Sequence, residues 1–405
     1  MTRKLDLRTG QTVWSAYRAP RVPVAPLRRD ARAGVLVVGM GVSGAMIAEA
    51  LTAEGHDVAM IDRRGPILES THATTALVQF EIDTPLDLLA RRIGRDDAER
   101  AWRRSRLAVD NLRARIAALG LRCQAVPRRT LYLAGDLLDA DGLEREARAR
   151  RAAGLYAEWL DAPRLRDAYG LDRAAAIVSH DNLALDPRKL TSGLLRAAAG
   201  RGARLHAPVE AVRFEHSKDE VTVVTAAGPL IRASHVVLAT GYELVEPVPA
   251  EGHCVISTWA IATRPQPRRL WPEVAMIWEA SDPYLYLRAT HDGRVICGGE
   301  DEDFTDEERR DALLPEKASA IASKLARLLP GIDPTPEFAW AGSFGSTASG
   351  LPLIYPLPGR PRMHAVLGYG GNGITYARIA AELIATELGG GRDADADLYR
   401  LPTKV

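Results

Sequence analysis

The pattern of apolar and polar positions changes abruptly after residue 33. Residues 34–38 (Gly-Val-Leu-Val-Val) form an unbroken run rich in β-branched side chains, which predicts a strand buried on both faces. Residues 45–51 combine strong helix formers with apolar spacing, and residues 57–62 form a second short apolar run. The pattern therefore predicts a βαβ unit.

The remainder of the chain predicts a second, differently built region. Residues 86–119 carry apolar side chains at helical spacing among many charged ones, which predicts two amphipathic helices interrupted near Gly94. Further helices are predicted over 143–175, 189–199, 306–329 and 374–388, and strands over 204–239, 253–299 and 365–367. This order of elements predicts an α/β fold class, with a Rossmann-like βαβ domain and a second domain whose sheet is mixed or antiparallel.

The first 33 residues differ in character from the rest of the chain. Pro20, Pro23 and Pro26 exclude a continuous helix there, and we expect an N-terminal arm over 1–33 that runs along the surface. The segment has no apolar core of the kind that signal peptides carry.

Composition narrows the class of protein. The 405 residues predict two or three domains, and 53 basic against 52 acidic residues give no support for nucleic-acid binding. Cys123, Cys254 and Cys297 form no CxxC pair, so a disulfide framework is disfavoured and a reducing, cytoplasmic location is expected. The histidines show no metal-ligand spacing, so no metal site is predicted. No apolar run is long enough to predict a transmembrane helix.

A glycine loop joins the first predicted strand to its helix. In Gly39-x-Gly41-x-x-Gly44 the first glycine allows a tight turn, the second lets a pyrophosphate approach the backbone, and the third lets helix and strand pack closely. The N-terminus of the helix then presents free N–H groups to phosphate. The loop predicts dinucleotide binding.

Asp62 ends the second predicted strand, where a carboxylate can accept hydrogen bonds from ribose hydroxyls. The same charge disfavours a 2′-phosphate, and we expect Arg63 and Arg64 to face solvent. The glycine loop by itself leaves NAD and FAD both open.

Three further motifs follow in a fixed order. They are Glu-Ser-Thr-His-Ala-Thr-Thr-Ala at 69–76, Val-Val-Leu-Ala-Thr-Gly at 236–241 and Gly-Tyr-Gly-Gly-Asn-Gly-Ile-Thr at 368–375. With the glycine loop, they make residues 34–400 resemble the glycine/D-amino-acid oxidase (DAO) family of FAD-dependent oxidoreductases. The resemblance is greatest to sarcosine-oxidase-like and γ-glutamylputrescine-oxidoreductase-like members, and Trp-Ser-Ala-Tyr at 14–17 is similar to the latter.

The resemblance implies which residues bind FAD: Gly39, Gly41, Val42, Ser43, Gly44, Asp62, Arg63, Ser70, Thr71, Thr75, Ala76, Val209, Thr240, Gly241, Gly370, Gly371, Asn372, Gly373, Ile374 and Thr375. Arg63 would lie beside the adenine, and the backbone of Val209 would pair with it. The glycine turn near Gly371 opens a helix, so its N–H groups suit the negative charge of reduced flavin. Some members bind flavin through a cysteine, but residues 342–352 contain none, so the resemblance implies non-covalent FAD.

Candidate substrate residues are fewer. Period-2 alternation places Tyr284, Tyr286 and Arg288 on one face of a predicted strand, suited to anchoring an anion or stacking a cation, although a surface face remains open. His72 would lie near the flavin, although a structural histidine remains open. Around Phe344 the chain lacks the arginine with which amino-acid-oxidising relatives bind a substrate carboxylate.

The resemblance implies oxidation of the C–H next to an amine nitrogen, by hydride transfer to flavin N5 and hydrolysis of the imine. The partners would be a small amine or amino acid and, as acceptor, oxygen or an electron carrier. Three alternatives stay open: a 2-hydroxy-acid oxidoreductase, a non-catalytic FAD-binding subunit and a nicotinamide dehydrogenase. We expect a discontinuous FAD domain over 34–84, 181–245 and 336–405, and a substrate domain over 85–180 and 246–335.

Overall fold

The computed structural model describes residues 5–249 and 252–401, which form eighteen strands and ten α-helices. The strands are β1 Arg8–Gln11, β2 Ala31–Val38, β3 Val58–Ile61, β4 Leu77–Val78, β5 Val126–Leu133, β6 Glu158–Asp161, β7 Ala175–Ala184, β8 Arg204–His206, β9 Ala211–His216, β10 Val221–Thr225, β11 Leu230–Leu238, β12 Cys254–Thr263, β13 Met276–Glu279, β14 Tyr286–Ala289, β15 Val295–Glu302, β16 Pro336–Ser346, β17 Leu353–Leu357 and β18 Arg360–Leu367. The helices are α1 Val42–Ala53, α2 Ser70–Ala73, α3 Leu86–Ile93, α4 Arg95–Ala118, α5 Ala140–Ala152, α6 Ala162–Tyr169, α7 Pro187–Gly200, α8 Glu307–Ala312, α9 Leu314–Leu328 and α10 Gly373–Leu388.

The first sheet is built around β2. Six of its eight described strands follow the order β17-β18-β11-β2-β3-β8, and the pairs from β18 to β8 are all parallel. The antiparallel strands β10 and β9 extend the sheet beside β11. Helix α1 packs against α7 and α10, and Ala45–Ala48 and Leu51 of its apolar residues are buried. Because parallel strands end at the same edge of a sheet, the segments that follow β2, β3, β11 and β18 meet there. The predicted βαβ unit and fold class are confirmed.

The second sheet is mainly antiparallel. Its order is β1-β16-β12-β15-β14-β13-β5-β7-β4, with β6 paired to β7, and among its described strands only β13 and β5 are parallel neighbours. Helix α9 packs on β12, β15 and β16 and buries Ile321 and Leu325. The two amphipathic helices predicted over 86–119 are confirmed as α3 and α4, and Gly94 separates them with a φ of 90°.

Several expectations about the elements were wrong. Strand β6 interrupts the helical segment predicted over 143–175, because Trp159 and Leu160 pair with β7 instead of continuing a helix. Strand β16 lies in the second sheet, between β1 and β12, so the residues after 336 first pair outside the sheet that holds β2. The arm is not a simple surface extension, since β1 pairs with β16 and Trp14 is buried.

No helix in the described part of the chain is long and apolar enough to cross a membrane.

Candidate active site

One long cavity, called here the central cavity, lies between the two sheets. Its walls include the segments after β2, β3, β11 and β18, together with parts of β12, β13, β14 and β16. Most of the predicted site residues line it: Gly39, Gly41, Val42, Ser43, Asp62, Arg63, Ser70, Thr71, Thr75, Val209, Thr240, Gly241, Tyr284, Tyr286, Gly370, Gly371, Gly373 and Ile374. The two glycine turns, from opposite ends of the chain, therefore share one cavity.

The first glycine loop is held by contacts that leave no room for side chains. Gly39 has a φ of 113°, and a Cβ there would lie 2.9 Å from the carbonyl carbon of Ala239. A Cβ on Gly44 would lie 3.0 Å from the carbonyl carbon of Gly39 and closer still to its oxygen. Gly44 does not line the cavity, so its role is the close packing of α1 on β2.

Thr71 has a structural task in this loop. Its hydroxyl accepts a hydrogen bond from the Val42 N–H at 2.9 Å, and so caps the first turn of α1. The other first-turn N–H groups have no acceptor within the helix. Together with the helix dipole, they give this end of the cavity an affinity for an anion.

Asp62 is already engaged with the backbone. Its Oδ2 accepts from the Met40 N–H, and its Oδ1 accepts from the N–H groups of Arg64 and Gly65, each at 2.8 Å. These bonds fix the carboxylate at the end of β3, and Oδ2 retains capacity for a further donor. The N–H of Val209 donates to the Asp62 carbonyl at 2.8 Å, so only the Val209 carbonyl is left to pair with a base.

The expectation that Arg63 and Arg64 face solvent was wrong. Both guanidinium groups pair with the buried carboxylate of Glu243, which follows the Thr240-Gly241 motif. Arg64 also binds Glu69 at 2.8 Å and the Leu5 carbonyl at 2.6 Å. This cluster joins three segments at the Asp62 end of the cavity.

Three side chains from distant segments hold residues 73–75. The Trp340 indole donates to the Ala73 carbonyl at 2.7 Å, and the Trp14 indole donates to the Thr74 carbonyl at 2.7 Å. Arg288 Nε donates to the Thr75 carbonyl at 2.7 Å. Three consecutive carbonyl groups are thus bonded to the protein, and the segment is fixed along the cavity wall.

The central cavity fits a dinucleotide. Ser70 lines it, and the Ser70 hydroxyl is buried with no hydrogen-bond partner in the described chain. A buried hydroxyl without a partner is costly, and a phosphate oxygen would supply one. In the glycine loop beside it, Asp62 and Thr71 already bind the N–H groups of Met40 and Val42, and no Cβ covers the backbone of Gly39 and Gly41.

Hydrogen bonds to residues 79–83 hold the second glycine turn in place. Asn372 Nδ2 donates to the Glu81 carbonyl and Thr375 Oγ1 donates to the Gln79 carbonyl, each at 2.8 Å. Neither residue lines the cavity, and both side chains bond the turn to residues 79–81. The Gly371 N–H donates to Asp83 Oδ2 at 2.9 Å, and Asp83 does line the cavity.

Aromatic side chains form the wall beside this turn. The Tyr284 and Tyr286 rings lie 5.3 Å apart, and Tyr286 Oη lies 3.3 Å from Thr258 Oγ1. Trp278 also lines the cavity and stacks on Tyr132 with ring centroids 3.8 Å apart. Trp259 lines the cavity as well, whereas His253 does not.

Two of the predicted catalytic residues are misplaced for that role. Arg288 is buried outside the cavity lining, and its Nη2 donates to the Leu185 carbonyl at 2.8 Å, in addition to its bond to Thr75. Its guanidinium also lies 5.2 Å from the centroid of the Trp14 ring. His72 faces the arm, where its Nδ1 lies 2.7 Å from Thr12 Oγ1. Ala76 is likewise buried outside the lining.

His72 makes stability depend on pH. Burial, with Arg188 and Arg8 nearby, lowers its pKa to about 4, so the folded protein holds the neutral imidazole where the unfolded chain takes a proton. The free energy of unfolding is therefore expected to fall as the pH drops from about 6.5 to about 4. His72→Gln should remove roughly 1–2 kcal/mol of that fall, measured by urea unfolding at several pH values.

The matched control for His72→Gln is His291→Gln, at a histidine whose side chain is 42% exposed. Because this side chain is more exposed than His72, its substitution should change the pH dependence less than His72→Gln does. An equal effect of the two substitutions would contradict the role given to His72.

Two charged residues of the site had no role in the sequence-based prediction. Asp83 precedes Thr84-Pro85, a sequence that is typical of a turn and gives no indication that Asp83 lines a cavity. Glu243 lies two residues after the Thr-Gly motif. The signal that pointed to Glu243 was the pair of arginines after Asp62, which need a counter-charge when they are not exposed.

Comparison with known proteins agrees with this geometry. The family model "FAD dependent oxidoreductase" (DAO) matches residues 34–387. The γ-glutamylputrescine oxidoreductase of Escherichia coli (strain K12) is 25% identical over 406 residues, which cover 96% of this chain and 92% of that protein. The probable oxidoreductase OrdL of Rhizobium meliloti (strain 1021) is 28% identical over 222 residues, 53% of this chain and only 49% of that protein.

Among solved structures, glycine oxidase from Geobacillus kaustophilus superposes with a TM-score of 0.76 at 20% identity. The match covers 93% of this chain and 100% of the other. This likeness supports the two-sheet fold.

Proposed function

Because this chain belongs to the FAD dependent oxidoreductase family, we propose that it oxidises the C–H next to the nitrogen of an amine or amino acid. When bound, FAD accepts a hydride equivalent from that carbon. Water then hydrolyses the resulting imine. The observation that carries the proposal is that the two glycine turns line one cavity.

The Asp62 end of the cavity would hold the adenosine and the pyrophosphate. The N–H groups at the start of α1 would donate to phosphate, with the Ser70 hydroxyl as an additional partner. Asp62 Oδ2 would accept from a ribose hydroxyl. Arg63 and Val209, which line the same end, would lie beside the adenine.

The Gly371 end would hold the ring system at which the substrate reacts. Backbone N–H groups at the start of α10 would stabilise negative charge on the reduced ring, without moving when that charge develops. Tyr284, Tyr286 and Trp278 would enclose the substrate and exclude water from it.

The proposed binding of FAD is non-covalent. Cys123 and Cys297 are buried, Cys254 is exposed, and none of these three lines the central cavity. Precipitation of the protein with acid should therefore release all of the FAD into the supernatant. Yellow colour retained in the washed precipitate would contradict non-covalent binding.

The reaction is tested by bleaching of the bound flavin. The FAD-loaded chain is mixed without oxygen with primary amines, secondary amines, amino acids and 2-hydroxy acids. Bleaching by an amine or amino acid is the expected result, and air admitted afterwards shows whether oxygen restores the colour. Bleaching by hydroxy acids alone, or by no compound, would contradict the proposal and favour one of the alternatives.

The name of the Escherichia coli relative supports an amine substrate, since that protein acts on γ-glutamylputrescine. The substrate of this chain is a separate question, because the two share only 25% identity.

A further inference from the structure

The Gly371 end of the central cavity carries a carboxylic acid beside several aromatic side chains. Asp83 lines the cavity, and its Oδ2 accepts the Gly371 N–H at 2.9 Å. Within the described residues, no arginine or lysine pairs with this carboxylate. Burial raises the pKa of Asp83 to about 6.

Aromatic rings surround Asp83. A Cβ built on Gly371 would lie within 3.2 Å of both an Asp83 oxygen and the Tyr284 hydroxyl, which places these two groups side by side. The ring centroids of Tyr286 and Tyr284 lie 5.3 Å apart, and Trp278 lines the same wall. Ring faces together with a carboxylate are the usual means of binding an organic ammonium group.

The cavity offers little to a substrate carboxylate. Among the described residues, the only arginines that line it are Arg63 and Arg64, which lie at the Asp62 end and already pair with Glu243. Arg288 donates to two backbone carbonyls outside the lining. A carboxylate beside Gly371 would therefore meet Asp83 without a compensating cation.

We propose that Asp83 pairs with the substrate amine in its ammonium form and accepts its proton before the hydride leaves the neighbouring carbon, and that the substrate is an amine without a carboxylate on the reacting carbon. This inference rests on the proposed function and narrows its substrate class. Tyr284, Tyr286 and Trp278 complete the cation site through their ring faces. Asp83 thus selects amines over α-amino acids by charge.

The test uses two probes of similar shape and opposite charge, benzyltrimethylammonium and benzoate, titrated calorimetrically into the FAD-loaded full chain. The unmodified protein should bind the ammonium probe at least about 10-fold more tightly than benzoate. Asp83→Asn should weaken binding of the ammonium probe by about 10- to 100-fold. It should also strengthen binding of benzoate, a gain that a damaged fold cannot produce.

Asp83→Asn keeps an oxygen that can accept the Gly371 N–H, so the turn should persist. The matched control is Asp87→Asn, which removes a carboxylate four residues further along the chain that pairs with Arg91 and does not line the cavity. It should change binding of the ammonium probe by less than about 3-fold. An effect as large as that of Asp83→Asn would overturn the role of Asp83, as would tighter binding of benzoate or of neither probe by the unmodified protein.

The outcomes separate the two proposals. If amines bleach the flavin but Asp83→Asn leaves both affinities unchanged, the cation site is wrong and the oxidation stands. If no amine bleaches the flavin while the ammonium probe still binds through Asp83, the oxidation is wrong and the cation site stands.

Discussion

A Gly44→Ala variant is expected to retain less than about a hundredth of the FAD affinity of the unmodified protein. The added Cβ would lie 3.0 Å from the carbonyl carbon of Gly39 and 3.4 Å from Val37 Cγ1, so either α1 or the loop must move. Gly39 cannot yield easily, because its N–H donates to the Ile61 carbonyl at 2.8 Å and its φ is 113°. The N–H groups that would bind the pyrophosphate would then be misplaced. The ratio of FAD to protein after gel filtration, together with a titration of FAD, measures the loss.

The control for Gly44→Ala is Gly331→Ala. Gly331 is exposed, and a Cβ there meets nothing within 4 Å. This variant should bind FAD like the unmodified protein. Normal FAD content in Gly44→Ala would show that the loop can relax and that its close packing is not required for the cofactor.

The second large effect is expected at Arg288, and on folding rather than on substrate binding. Arg288→Met should lower the free energy of unfolding by about 3–5 kcal/mol, because it leaves the carbonyls of Thr75 and Leu185 without donors inside the protein. It also removes the contact of the guanidinium with the Trp14 ring. Urea unfolding measures the loss.

Arg288→Lys distinguishes this structural role from substrate binding. It keeps the charge but not the forked geometry, so an intermediate loss of stability is expected. Among the molecules that remain folded, the KM for the best amine should change less than about 3-fold. A stable Arg288→Lys protein with a KM raised about 100-fold would return Arg288 to the substrate site.

The sequence predicted the parts of the site that depend on local backbone geometry. The strand–glycine–helix pattern of residues 34–51 and the acid at Asp62 follow from rules on turns and helix termini, and both glycine turns line the cavity as expected. The direction in which side chains point was harder to predict from the sequence. Alternation correctly put Tyr286 and Arg288 on one face, but the cavity ends between them, where the residue 73–75 segment crosses that face.

Long-range charge pairing was also beyond local rules. Glu243 pairs with Arg63 and Arg64 although it lies far from them in the sequence, beyond the reach of any helical or strand periodicity. Because this cluster is buried, the two arginines do not face solvent. Strand β6 was missed for a related reason. Its four residues are too few to show a period, and pairing with β7 outweighs the local helical tendency.

The bonding of residues 73–75 has a consequence for the kinetics of cofactor uptake. Indole and guanidinium groups donate hydrogen bonds to the carbonyls of Ala73, Thr74 and Thr75. The partial negative charge of these carbonyl oxygens is therefore already compensated before an anionic nucleotide binds. The wall needs no ordering step, and little conformational entropy is lost when the nucleotide docks. Association of FAD with the apoprotein should therefore follow a single, concentration-dependent phase, limited by encounter rather than by rearrangement.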